Sequence, residues 1–186
     1  MKNQEKQFLN TNNMKTIIAV LAMLIMPSVF FAQSSVFDKY EDSDVVTSVI
    51  VNKKMFELMG NVKMDTKDKE AQQYLNLIKK LDNLKVFTTK DSKMTAEMRG
   101  TVNSYLKKYP LDELMKINKN GRNIKIYVKQ SSTQVKELLM FMDGGNEETV
   151  VMSLTGSFDL NEVSVLTDKM KLPGGDELKK ASNKNN

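Results

Sequence analysis

The chain has no cysteine, no histidine and no tryptophan. Without cysteine there can be no disulfide, no thiol nucleophile and no thiol to carry a bacterial lipid anchor. Without histidine as well, the Ser-His-Asp and Cys-His catalytic arrangements cannot be built, nor can the nitrogen- and sulfur-ligated zinc sites. Only carboxylate pairs, serine-lysine arrangements and oxygen-ligated cations stay open to it. Proline (three) and glycine (eight) are also scarce, so the few that occur carry weight as breaks. Long apolar runs are absent except for one.

That run is Ile17 to Met26, preceded by Lys15 and followed by Pro27 and a short stretch ending Phe31-Ala32-Gln33. A positive residue, an apolar core of about ten residues and a small residue before a polar stretch make a secretory signal. The run to Ala32 also contains a proline and falls short of the roughly 20 residues a spanning helix needs. Residues 1–32 are therefore read as a signal peptide cleaved near Ala32/Gln33. Met14 reads as the natural start, with residues 1–13 upstream of it. Its removal takes away three lysines and one glutamate, lowering the formal net charge from +5 to +3. So mild an excess makes no case for nucleic acid. The expected location is periplasmic or secreted, with no stable membrane span after cleavage.

Residues 33–170 read as a single domain, and the Lys-, Asn- and Gly-rich residues 171–186 as a disordered tail. Val36 to Tyr40 suits one helical turn. The β-branched run Val45 to Val51 reads as a strand apolar on both faces and therefore buried. Asn52 caps a short helix stopped by Gly60. Ala71, Tyr74, Leu75, Ile78 and Leu81 mark a helix over 67–82, capped by Asp65 or Thr66, and 84–89 a strand. Met94, Met98, Val102, Tyr105 and Tyr109 make a helical stripe over 92–108, ended by Pro110 and read as core.

Asn120-Gly121 is the dipeptide a two-residue hairpin prefers, because both positions need positive φ. It predicts Ile117 opposite Ile124 and Met115 opposite Ile126. Pro110 through Lys116 reads either as that hairpin's first arm or as a short helix. Residues 135–142 are open between strand and helix; 149–157 are a strand. After it, Gly156 permits a bend or bulge, and Asp159 with Glu162 forms a capping box. Phe158 and Val163 supply the hydrophobic staple, so this joint is architecture. The sum is an α+β fold: a mainly antiparallel sheet of about six strands with helices packed on one face.

Four features invite a functional reading. Asp38, Glu41, Asp42 and Asp44 form an acidic cluster, and Asp143-Gly144-Gly145-Asn146-Glu147-Glu148 an acidic, glycine-rich loop. Both offer oxygen ligands, yet neither has an EF-hand spacing. A solvated linker and a hairpin loop need the same residues. The lysine pairs at 53–54, 79–80, 107–108 and 179–180 lie near helix ends and form no sequence-local patch. Tyr127, with Lys116, Lys125 and Lys129 on the same strand face, Leu114 opposite and Phe87 nearby, has the composition of a partner-binding patch. No catalytic, cofactor or metal residue is assigned.

The signal ending Phe31-Ala32-Gln33, the Val49-Ile50-Val51 to Met55-Phe56 stretch, Leu114-Met115, Ile124-Lys125-Ile126-Tyr127 and the run Leu154 to Leu160 resemble DUF4252. This is a family of uncharacterised exported Bacteroidota proteins. The resemblance implies a small exported α+β domain in a Gram-negative envelope, without assigned activity or catalytic residues to carry over. The leading functional expectation is a non-enzymatic binding module whose partner is an unknown envelope protein or ligand. A carboxylate-dependent hydrolase and a small apolar-ligand carrier are the alternatives. Intact-mass analysis of protein from the native envelope should place the mature N-terminus near Gln33; a mass retaining residues 14–32 would mean an anchored protein.

Overall fold

The hairpin expected around residue 121 has the predicted register. In the computed structural model Ile117 pairs with Ile124 and Met115 with Ile126, and Gly121 has φ 80°, the left-handed value such a turn requires. The structure describes residues 36–61, 69–119, 121–145 and 147–163, together with residue 176. The signal segment, the caps expected at Asp65 or Thr66, the helix beyond Val163 and all but one residue of the tail lie outside these.

The described residues contain six strands: β1 Thr47–Asn52, β2 Leu81–Thr89, β3 Asp112–Lys119, β4 Arg122–Ser131, β5 Gln134–Asp143 and β6 Thr149–Phe158. They form one antiparallel sheet in the order β1-β2-β6-β5-β4-β3. Three helices accompany them among the described residues: α1 Lys53–Gly60, α2 Lys69–Ile78 and α3 Ser92–Lys108. This is the α+β class with the expected strand number. Both open segments are strands, 134–143 as β5 and 112–119 as β3.

The layering differs from expectation, because helices cover both faces rather than one. Leu84 and Val86 of β2, Ile124 and Ile126 of β4, Leu138 and Met140 of β5, and Val150, Met152 and Leu154 of β6 join Phe56 of α1 and Leu77 and Ile78 of α2 in one core. The alternate residues Phe87, Tyr127, Leu139, Phe141 and Val151 join Met98, Val102 and Tyr105 of α3, with Phe37 and Tyr40, in a second. Successive strand side chains point to opposite faces, so strands with adjacent apolar residues, such as Val86-Phe87 and Leu138-Leu139, feed two cores. That alternation also explains β5: its run Leu138-Leu139-Met140-Phe141 is buried throughout because it is central.

α3 begins as its sequence dictates, with Asp91 Oδ1 accepting from the Met94 N–H at 2.7 Å. Its methionine stripe is core: Met98, Val102 and Tyr105 are buried, with Met94 and Tyr109 packed at the margin. The segment before β1 lies on this same face. Its 3-10 turn Asp38–Tyr40 is held by the Tyr40 hydroxyl donating to Thr101 Oγ1 at 2.7 Å. Lys85 of β2, almost fully buried, reaches both Asp38 and Glu41.

At the end of β6, Phe158 and Val163 are both buried in the first core, and Glu162 accepts from the Asp159 N–H at 3.1 Å. The joint is architectural over the residues described. Gly156 pairs with Leu81, and the register of β6 against β5 shifts beside it, the expected bulge. Its larger role is close approach. A Cβ there would stand 2.3 Å from the Lys80 carbonyl oxygen, which already accepts from the Ser157 N–H at 2.9 Å. Gly100, inside α3, is the opposite case, since a Cβ there meets nothing within 4 Å. Gly156→Ala should therefore destabilise by about 1–3 kcal/mol through overpacking, and Gly100→Ala should stabilise by about 1 kcal/mol through helix propensity. Urea denaturation midpoints of the two variants read both signs.

Candidate functional site

β1 was expected to be buried on both faces; it is instead an edge strand. Val49 and Ile50, one on each face, are 43% and 41% exposed, and only Val51 is buried. Val45 just before the strand is half exposed, as are Met55 and Leu58 of the helix that follows. These five are the large apolar side chains most open to water among the described residues. Singly such exposure is ordinary; here Val49 and Ile50 project from opposite faces of a strand that is paired on one side only among the described residues, and Met55 and Leu58 lie on the helix that follows it. Sequence carries no signal separating an edge from a central strand of this composition, apart from the charges flanking it.

α1 packs on the Val49 and Val51 face of this edge. Asn52 Oδ1 accepts from the Met55 N–H at 3.0 Å, the predicted cap, and Phe56 anchors the helix in the first core. Beside it opens a recess of about 280 Å³ lined by Lys53, Phe56, Glu57, Asn61, Ile78, Lys79 and Leu81. Its floor is apolar and its rim charged. A second recess, about 100 Å³, lies under α3 between Arg99, Asn103, Asn123, Lys125, Tyr127 and Asp143. There Arg99 Nε and Nη2 both donate to Asp143 Oδ2, at 2.9 and 2.5 Å. Each recess presents one carboxylate.

The sequence-selected features have other positions. Asp38 and Glu41 converge on Lys85, so half of the acidic cluster clamps the N-terminal segment to the sheet. Asp42 and Asp44 face solvent. The carboxylates of the glycine-rich loop diverge, Asp143 to Arg99, Glu147 to Arg122 and Glu148 to Lys90. No group of three or more acidic residues is placed to hold a metal ion among the described residues. The lysine pairs disperse likewise: Lys53 meets Asp82, Lys54 meets Glu57 and Lys80 meets Glu162, while 179–180 lie outside the described residues.

The proposed aromatic patch is a correction. Tyr127 is only 8% exposed and packs with Phe87, Leu139 and Phe141 in the second core. A bulge at Leu114 moves Glu113 opposite Tyr127 instead. Burial pushes the Tyr127 hydroxyl above its ordinary value, and the Glu113 carboxylate adds to the effect. The face read as free is covered by α3 and the segment around Phe37.

Glu137 was not anticipated at all, although a lone acid between Val135 and Leu138 was a visible signal. It is 2% exposed, accepts from the Tyr105 hydroxyl at 2.5 Å, and its Oε2 has no partner. Burial raises its pKa, opposed by the Tyr105 hydrogen bond and by Lys129 across the strand pair. The native state thus holds this proton more tightly than the unfolded chain does. Stability contributed at low pH is lost as pH rises from the ordinary carboxylate value through the folded one. Glu137→Gln should accordingly melt higher than the wild type at about pH 8, by a margin that shrinks as pH falls toward 4.5, the ordinary value. Thermal melts across that range measure it, and a margin independent of pH would contradict the assignment.

None of the described helices is long and apolar enough to cross a membrane. The profile of a family described as "Domain of unknown function (DUF4252)" matches residues 40–166. No curated protein and no solved structure gives a significant match.

Proposed function

The chain belongs to the DUF4252 family, and we propose that it is an exported cell-envelope protein working as a non-enzymatic binding module, with β1 and α1 as its contact surface. The observation that carries this reading is the exposure of Val45, Val49 and Ile50 along a strand edge unpaired among the described residues, and of Met55 and Leu58 on the helix after it. An edge of this kind offers a row of backbone donors and acceptors to an incoming strand, with side chains on both faces to select it. Export rests on the signal-type segment before residue 33, and the location proposed is periplasmic or secreted.

The composition favours binding over catalysis, since histidine and cysteine chemistry is unavailable. A hydrolase would need two carboxylates some 5–10 Å apart across a cleft. The lining of either recess offers it one, and Asp143 is already paired with Arg99. An apolar-ligand carrier would need an enclosed apolar cavity, whereas the larger recess has a charged rim.

The test is affinity capture from envelope extracts with the exported protein, run beside an Ile50→Glu/Leu58→Glu variant and read by mass spectrometry. Both side chains are solvent-facing, so the variant should fold with stability changed by only about 0.5 kcal/mol per site. It should lose the specifically retained proteins. Retention of the same set would remove β1 and α1 as the contact surface.

A further inference from the structure

The two edges of the sheet are unlike. β3, at one end, carries Asp112, Glu113, Lys116 and Lys119 along its length, charges of the kind that keep an edge from pairing. β1, at the other, reads Thr-Ser-Val-Ile-Val-Asn and has no charge within the strand. Its charges lie at its ends and are of opposite sign. Asp42 and Asp44 precede it and Lys54 follows it, while Glu41 and Lys53, also at its ends, are paired within the chain with Lys85 and Asp82.

This pattern is self-complementary. An antiparallel neighbour of the same sequence lays the acidic end of each strand against the basic end of the other, twice over. A parallel neighbour would lay acid on acid and base on base. We propose that the occupant of the β1 edge is β1 of a second copy of this chain, joining two six-stranded sheets into one across a two-fold axis. The inference rests on the reading of β1 as a contact surface and names its partner.

Symmetry narrows the register. Two antiparallel edge strands are related by a two-fold normal to the sheet, which keeps each face on its own side. Opposed residues must then point to the same face, so the axis passes between two copies of one residue. Centred on Val49, the pairing sets Ser48 opposite Ile50 and Thr47 opposite Val51, and it brings Asp44, before the strand, toward Lys54 in the first turn of α1. Centred on Ile50, it would set Thr47 opposite Lys53 and Asp44 opposite Phe56, whose side chain is buried. Of the two registers that keep most of Thr47–Asn52 paired, the Val49 one is the one that matches charge to charge. Asp44 holds no ion pair among the described residues, and Lys54 has only an exposed contact of 3.4 Å to Glu57 on its own helix. Both are available.

The contact is small, one strand of six residues with added area from Met55 and Leu58. It belongs with weak interfaces, below about 1,200 Å², so association on the order of 10–100 µM is expected. Sedimentation equilibrium of the exported protein from about 10 to about 500 µM should therefore show a monomer–dimer equilibrium. Val49→Lys places two like charges across the axis and should weaken association at least tenfold. Asp44→Lys and Lys54→Glu, each removing two symmetry-related pairs, should each weaken it about three- to tenfold. The double variant Asp44→Lys/Lys54→Glu should restore it. These last variants lie on the surface and keep the test valid if Val49→Lys proves unstable. A monomer at every concentration, or a dimer unaffected by all four changes, would overturn the proposal. A monomer that still captures an envelope protein through Ile50 and Leu58 overturns the second copy alone and leaves the binding reading standing.

Discussion

Neither face of the central sheet can be left to water. β2, β5 and β6 bury apolar side chains at both odd and even positions, and in an extended chain alternate positions point to opposite sides. Leu84 and Val86 therefore need cover on one side while Phe87 needs it on the other, and likewise for Met140 against its neighbours Leu139 and Phe141. The rest of the architecture follows from that constraint. α1 and α2 close one face. α3 closes the other, and the residues before β1 complete it.

That last contribution explains several polar choices that look functional in isolation. The segment from Val36 to Val46 has little regular structure of its own, so its place depends on specific anchors. Phe37 and Tyr40 are buried, Lys85 draws in Asp38 and Glu41, and Thr89 Oγ1 donates to the Val45 carbonyl at 2.7 Å. A buried lysine is costly unless its charge is met. Desolvation lowers its pKa, yet the two carboxylates outweigh that and hold Lys85 above its ordinary value. It thus remains charged where it is needed as a clamp. Glu137 is the less complete case, with one oxygen satisfied and one not.

The fold spends its regularity on the centre and leaves variety at the edges. β3 is blunted by charge and β1 is not, although both terminate the same sheet. A protein that protects one edge and exposes valine and isoleucine on the other has an asymmetry that packing alone does not require. The functional reading rests on that contrast, and on the opposite charges bracketing β1. The catalytic alternatives rest on a composition that withholds most of the usual groups.

Local chemistry was legible in the residues. Asn120-Gly121 determined its hairpin and register, because only a narrow set of residues tolerates positive φ. Asp91 and Asn52 determined where α3 and α1 begin, because unsatisfied N–H groups need an acceptor close in sequence. The turn from β4 to β5 was not legible: Ser132 adopts φ 57° there, without the glycine or asparagine that would announce it. Nor could the residues say that Val45 to Val51 forms an edge, that Tyr127 lies under α3, or that helices take both faces. A strand's own sequence records which of its positions are apolar. Which neighbour covers each position is decided by strand order and by contacts between residues far apart in the chain, such as Lys85 with Asp38, 47 residues apart, and Tyr40 with Thr101, 61 apart. Turns and caps are fixed by interactions within about four residues; burial is fixed by what the rest of the chain brings alongside, and that exists only once the sheet has formed.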